Sequence, residues 1–313
     1  RMKNFEKMLY PKQLKKGDTV GIICPSSALP TDKIELVKST IENMGYKTKL
    51  ADNLDKVFAG YMAGDGEERA KWVNQMFADP EIDAIFCVRG GDGSSRLMPY
   101  LDYETIKANP KIFVGYSDVT NLHMALNQTC GMVSFHGPMI SSNMINGLTD
   151  EETASFFDTI NAESDFDYQN PKGFDIKTLK GGKATGNLVG GNLSLLSASI
   201  GTPFEIESED NILFIEEVCE PMSKIEKWIF HLKNAGKLEK CRGIILGQFT
   251  KVENKEDPSY DENQIVLAAL KDLDIPVVYN VQSGHGKPMM TLPIGALCTL
   301  DADEKMISFK VER

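Results

Sequence analysis

Ile82-Asp83-Ala84-Ile85-Phe86-Cys87-Val88-Arg89-Gly90-Gly91-Asp92-Gly93-Ser94-Ser95-Arg96 is an apolar run that breaks into a glycine-rich loop, and Lys111-Ile112-Phe113-Val114-Gly115-Tyr116-Ser117-Asp118 repeats the plan with a tighter turn. Both runs are continuously apolar rather than alternating, which is how strands buried on both faces of a parallel sheet read. Toward the N-terminus, Val20-Gly21-Ile22-Ile23-Cys24 is a third such run, stopping at Pro25-Ser26-Ser27. Helical patterns lie between the runs. Ile34, Leu36, Val37, Ile41 and Met44 recur at near-helical spacing up to Gly45, which sits where a left-handed C-cap belongs, and a short strand is expected over 46–50. Asp65-Gly66-Glu67-Glu68 has capping-box spacing ahead of the apolar face Trp72, Val73, Met76 and Phe77, and Pro80 ends that helix. Strand, helix, strand in this rhythm predicts a parallel sheet covered on both faces.

From 146 to 180 the pattern weakens, with no sustained apolar periodicity except around Phe156-Phe157, and this stretch reads as a linker. Beyond it, strands are expected over 212–218, 244–246 and 277–279 and helices over 223–236 and 265–273. A hairpin pairs 296–300 with 306–311 across Asp301-Ala302-Asp303-Glu304. The expected fold is therefore α/β: an N-terminal parallel-sheet, Rossmann-like domain over 1–145, and a smaller mixed C-terminal α/β domain, rich in β, over 181–313. A chain of 313 residues exceeds what one hydrophobic core usually organises, which agrees with two domains.

Composition narrows the function. Forty-five acidic residues against 34 Lys plus Arg leave a net charge of −11, which argues against a nucleic-acid surface. No run of about 18 apolar residues is present to span a bilayer, and residues 1–18 have no apolar centre of the kind a signal peptide needs. The expectation is a cytoplasmic protein without membrane contact; Arg1, ahead of Met2, is set aside. Six cysteines (Cys24, Cys87, Cys130, Cys219, Cys241, Cys298) and four histidines (His123, His136, His231, His285) are scattered without metal-ligand spacing, so no metal is expected.

Ser117 carries the sharpest chemical signal. A serine on a tight turn between an apolar strand and a helix is exposed above the sheet edge, as in a nucleophile elbow, although the second glycine of G-x-S-x-G is missing. The alternative is that Ser117 and Asp118 only cap the helix. A serine nucleophile needs a base, and the base needs an orienting carboxylate. His285, in Ser283-Gly284-His285-Gly286-Lys287, is the best base because its flanking glycines expose the ring; His136, in Phe135-His136-Gly137-Pro138, is the runner-up or a pocket residue, and His123 and His231 read as packing residues. For the carboxylate, Glu216 ends the apolar run Ile212-Leu213-Phe214-Ile215 and is followed by Glu217. Adjacent strand residues face opposite sides, so only one of the two can join a common site, and Glu216 is preferred. The loop 89–96 matches neither a Walker motif nor G-x-G-x-x-G. Its amides are suited to an oxyanion, and Arg89 or Arg96 to a substrate carboxylate.

Taken together, Val88 to Arg96, Val114-Gly115-Tyr116-Ser117-Asp118, Phe135-His136-Gly137-Pro138, Gly190-Gly191-Asn192-Leu193-Ser194, Leu213-Phe214-Ile215-Glu216-Glu217 and Gly284-His285-Gly286 resemble, in order and over nearly the whole chain, the LD-carboxypeptidase family of serine peptidases. The resemblance implies a Ser-His-Glu triad of Ser117, His285 and Glu216 in a site between two domains, oxyanion donors at the amides of Gly91 and Asp118, a homodimer, and neither metal nor other cofactor. Where the family commonly has Glu-Asp this chain has Glu216-Glu217, so the choice of acid stays open. The implied reaction is hydrolysis of an L,D-amide to a C-terminal D-amino acid of murein tetrapeptides. A second branch of the family, the microcin-C immunity peptidases, cleaves peptidyl or aminoacyl nucleotides and carries a loop aromatic that stacks on the nucleobase. Here Trp72 and Trp228 fall in helical patterns and 160–180 offers only Phe166, Tyr168 and Phe174, which favours the cell-wall branch. A non-catalytic small-molecule binder and a general serine esterase are the remaining readings.

Overall fold

The computed structural model describes residues 8–313; Arg1 and most of the charged stretch that follows it lie outside the described residues. The apolar runs form the expected sheet. Across it the strands are Leu292–Ile294, Ser134–His136, Ile112–Gly115, Ala84–Cys87, Thr19–Ile23 and Lys47–Leu50, all parallel to their neighbours except Leu292–Ile294, which runs antiparallel to Ser134–His136. Every residue of Ala84–Cys87 and Ile112–Gly115 is buried, because helices cover both faces. Strand order reverses between Thr19–Ile23 and Ala84–Cys87. In open α/β sheets the crevice beyond the carboxyl ends at such a reversal is where ligands bind. Here that crevice is lined by Ser26, Ser27 and the glycine-rich loop.

Helix starts follow the expected caps, with one change. The Asp65 side chain accepts from the Glu68 amide at 2.8 Å, but Glu68 turns away to Lys56 at 2.8 Å instead of closing the box. The full box is made elsewhere, at Thr149 and Glu152, in the stretch read from the sequence as a linker. Residues 146–180 are not an unstructured connection: they hold the helix Asp150–Ile160 and the strands Phe166–Asp167 and Lys177–Lys180. Phe156 is fully buried with its ring centroid 5.7 Å from that of Phe86, and buried Glu152 accepts from the Met289 amide at 3.0 Å. The periodicity was weak because this helix buries a carboxylate among its few apolar residues.

The second sheet has eight strands, ordered Phe166–Asp167, Met306–Phe309, Leu297–Asp301, Lys183–Asn192, Ile212–Val218, Gly243–Thr250, Val277–Tyr279 and Lys177–Lys180. The fourth to the seventh, Lys183–Asn192 to Val277–Tyr279, are parallel and the others antiparallel, so this half is mixed α/β and rich in strand. Leu292–Ile294, from the C-terminal half, is nevertheless an edge strand of the first sheet, and one hydrophobic core runs from Val20 and Phe86 through Leu292 to Phe309. Five cysteines are buried and Cys219 is exposed, all as free thiols.

The sheets are locked together at the Gly-Gly-Asn motif. Gly191, at φ 145°, lies so close to the helix after Ser117 that a Cβ there would stand 2.7 Å from Thr120 Oγ1. The Asn192 amide donates to the same hydroxyl at 3.1 Å. Gly191→Ala is expected to destabilise the protein by about 1–3 kcal/mol through backbone strain alone; a urea unfolding midpoint equal to the parent's would contradict this account of the contact.

Candidate active site

The strand Ile112–Gly115 ends at an extended Tyr116, and Ser117 then takes φ 68° before the chain turns into the helix Thr120–Met124. A non-glycine residue in this left-handed region stores strain, of about 1–3 kcal/mol, which the surroundings must hold. Thr120 Oγ1 does so by donating to the Ser117 carbonyl at 2.7 Å. The turn lifts the hydroxyl into the crevice, where Ser117 Oγ lies 2.9 Å from His285 Nε2. His285 Nδ1 in turn lies 2.7 Å from Glu216 Oε2. Because Nδ1 faces a carboxylate it carries the ring proton, leaving Nε2 as the acceptor for the serine hydroxyl. Glu216 is fully buried, and the His285 side chain is 15% exposed. The three residues come from three separate carboxyl-terminal strand ends, one in the first sheet and two in the second.

The two adjacent acids divide as strand alternation requires. Glu217 faces away from His285: Oε1 accepts from Asn192 Nδ2 at 2.8 Å and from the Val218 amide at 3.0 Å, and Oε2 from the Ser194 amide at 2.9 Å. It fastens the Gly-Gly-Asn turn. Burial pushes its carboxyl pKa up, against those hydrogen bonds.

Two opposed effects act on His285. Burial pulls its pKa down, but the charge and hydrogen bond of Glu216, with Glu217 behind it, outweigh burial and leave it above the ordinary value. A base works when neutral, so kcat/KM should rise with pH along a limb centred above about 6.5, the ordinary imidazole value. A pH-rate profile centred at or below that value would contradict the pairing. The same raised pKa makes the pair's contribution to stability complete below the unfolded pKa and lost as pH climbs through the folded one.

Beside the serine lies the glycine-rich loop. A Cβ on Gly90 would come within 3.0 Å of Ser117 Cβ, so a side chain there would crowd Ser117. The loop is tied from below by Asp118, whose carboxylate accepts from Ser26 Oγ at 2.6 Å and the Ser94 amide at 2.9 Å, while Ser94 Oγ donates to the Asp118 carbonyl at 2.6 Å. Burial raises the Asp118 pKa. Arg69 holds the loop from behind: fully buried, it donates to Pro25 O at 2.7 Å and Gly93 O at 2.8 Å. Sequence reasoning missed Ser26, Arg69 and Asn192. The signal that could have found Arg69 is its spacing: it lies three and four residues before Trp72 and Val73, on the apolar face of its helix.

The remaining candidates separate clearly. Arg89 donates to Ala28 O at 3.1 Å, and exposed Arg96 lies with its guanidinium carbon 5.2 Å from the Phe58 ring centroid. His136, read as runner-up base or pocket residue, is corrected: it is fully buried, with Nδ1 3.2 Å from Ser283 Oγ and its ring against Tyr116 and Phe214. The rings of Tyr116, His123 and Phe214 pack around it, so it stands behind the site. His123 is likewise buried, between Ser134 Oγ at 2.6 Å and Gly115 O at 2.8 Å, and burial lowers its pKa to about 4. His231, on the helix Met222–Asn234, meets Ser197 Oγ at 2.7 Å and none of the three relay residues. Among the described residues no group of three or more His, Cys, Asp or Glu is placed to hold a metal ion, and no helix is long and apolar enough to cross a membrane.

Residues 20–137 match the description of the LD-carboxypeptidase N-terminal domain, and residues 185–300 that of the C-terminal domain. The chain belongs to the LD-carboxypeptidase family. Among its LD-carboxypeptidase relatives, the "Probable murein peptide carboxypeptidase" of Bacillus subtilis is 38% identical over 298 residues, covering 94% of this chain and 92% of that one. The "Microcin C7 self-immunity protein MccF" of Escherichia coli is 30% identical, covering 96% and 95%. A mutant of MccF solved with adenosine monophosphate superposes with a TM-score of 0.88 at 28% identity, over 97% of this chain and 99% of that one. The muramoyltetrapeptide carboxypeptidase of Oxalobacter formigenes superposes at 0.80 and 27% identity, over 94% and 99%. Membership makes this chain a serine-type peptidase on an α/β scaffold shared with both branches.

Proposed function

We propose that the protein is a serine carboxypeptidase that hydrolyses the L,D-amide to the C-terminal D-alanine of murein tetrapeptides, in the recycling of cell-wall peptides. The observation that carries this reading is the unbroken relay from Ser117 Oγ through His285 to Glu216, at 2.9 and 2.7 Å. Murein-peptide carboxypeptidases among the relatives support the choice of substrate.

In this mechanism Ser117 Oγ attacks the amide carbon as His285 Nε2 takes its proton, and Glu216 steadies the imidazolium through Nδ1. The carbonyl oxygen becomes an oxyanion, assigned to the amides of Gly91 and Asp118. The C–N bond breaks as His285 passes its proton to the amine of D-alanine, leaving an ester on Ser117. Water then loses a proton to His285 and attacks the ester, the acyl group leaves as the acid, and the proton returns to Ser117. Arg89 and Arg96, at the two ends of the loop, are assigned to carboxylates of the substrate.

A murein tetrapeptide ending in D-alanine is expected to be cut, with free D-alanine detected by mass spectrometry, while its diastereomer ending in L-alanine stays intact. Cleavage of both at one rate would remove the LD-preference. The second reading, a microcin-C-type immunity peptidase, is favoured by the TM-score of 0.88 to MccF. Against it, 160–180 has no tryptophan, and Tyr168 is buried with its hydroxyl on Asn170. Turnover of an aminoacyl sulfamoyl adenosine but not of the tetrapeptide would establish that reading instead.

A further inference from the structure

The strand Gly243–Thr250 pairs with Ile212–Val218 in register up to Ile215 opposite Leu246, and again from Glu217 opposite Phe249. Gly247 and Gln248 thus both lie opposite Glu216, a bulge beside the acid of the relay. Bulges re-aim side chains next to active sites. This one aims Gln248 into the loop that carries His285. The Gln248 amide donates to the Ser283 carbonyl at 2.8 Å. Its side-chain Oε1 accepts from the Gly286 amide at 2.8 Å, and its Nε2 donates to the Pro288 carbonyl at 2.8 Å and to Gln282 Oε1 at 3.1 Å. The loop closes on it so tightly that a Cβ on Gly286 would lie 2.7 Å from Gln248 Nε2. One side chain therefore grips the loop on both sides of His285, from the residue facing Glu216.

We propose that Gln248 is a positioning residue for the reaction: it is the peg around which residues 282–288 are wound, and it fixes the imidazole between Ser117 and Glu216. The inference rests on the proposed roles of Ser117, His285 and Glu216, and adds a residue that touches none of the reacting atoms. Ser283 Oγ, within the loop, also ties its arms by donating to Met290 O at 2.9 Å, but among the described residues Gln248 is the one side chain from outside the loop bonded to both arms.

The test uses a fluorophosphonate and so needs no peptide substrate. Ser117 Oγ forms the O–P bond, fluoride leaves with the P–F electron pair, and the hydroxyl proton passes to His285. Labelling of Ser117 is followed by peptide mass mapping across pH in the full-length protein, its Ser117→Ala control and Gln248→Met, which keeps the volume and loses every side-chain hydrogen bond. Small misplacement of reacting groups can reduce rates by about 10²-fold. Gln248→Met is accordingly expected to label about 10- to 100-fold more slowly, with the half-saturating probe concentration within threefold of the parent's. Its acid limb is expected to move to lower pH as His285 slackens against Glu216. The groups that act on that imidazole are Glu216, with Glu217 on the opposite side of the same strand, Tyr116 edge-on at 5.1 Å, and His136 behind it. All of them remain in the variant.

Parent-like labelling with a parent-like limb would overturn the proposal, and so would slow labelling with an unmoved limb, which is what general loosening gives. Should Gln248→Met not fold, Gln248→Asn, with the same amide one methylene short, is read by the same criteria. Labelling of the Ser117→Ala control at the parent rate would instead sink the reading of the site itself, a distinguishable failure.

Discussion

Alanine at Ser117 or at His285 is expected to lower kcat/KM for amide hydrolysis by about 10⁴- to 10⁶-fold, and the double variant by scarcely more than either single one. The two side chains act as one device. In the proposed mechanism the hydroxyl at 2.9 Å from Nε2 becomes a nucleophile only as the imidazole takes its proton, and the imidazole's later proton transfers act on intermediates that exist only once Ser117 has attacked. Removing either therefore removes the whole contribution, and what remains is binding and the oxyanion amides. Progress curves on the single and double variants measure this. Losses that multiply would mean that serine and histidine work independently, which would contradict the proposed relay.

Glu216→Gln is expected to cost about 10⁴ in kcat with little change in stability, because an amide opposite Nδ1 no longer selects the Nδ1–H tautomer or steadies the imidazolium. Glu217→Gln should do the reverse. Its oxygens accept three hydrogen bonds, from Asn192 Nδ2 and the Val218 and Ser194 amides. An NH₂ group in place of one oxygen meets donors, and leaving such buried partners unsatisfied costs about 1–3 kcal/mol. Activity of Glu217→Gln at a permissive temperature should stay within about tenfold of the parent, as expected of a residue that touches no reacting atom. Kinetics and urea denaturation on the pair separate these roles, and equal kinetic losses in both would contradict the division.

The contrast between these acids also marks how far the sequence could be read. Continuous apolar runs announced the parallel strands, and glycine beside Ser117 and on both sides of His285 announced exposed, tightly turned chain. Glu216 stood out as an acid at the end of an apolar run. Those features are local, and pattern reading works on local features. What sequence left unread depends on contacts between segments distant in the chain. Arg69 reaches Pro25 and Gly93 only because a helix packs under the crevice. His136 looked available in the sequence, but Tyr116 and Phe214, distant from each other in the chain, pack against its ring. The strand Lys183–Asn192 was missed because Gly186, Gly190 and Gly191 dilute its apolar content, and those glycines are there for close approach of neighbouring backbone and of Thr120. The bulge opposite Glu216, and with it the grip of Gln248, exists only in the pairing of two strands.

The central claim, that Ser117 is the nucleophile of an LD-carboxypeptidase reaction, is tested most directly by incubating the parent and its Ser117→Ala variant with a murein tetrapeptide and following free D-alanine by mass spectrometry. The account predicts steady release by the parent and none above the blank by the variant; release by both at the same rate would take Ser117 out of the mechanism.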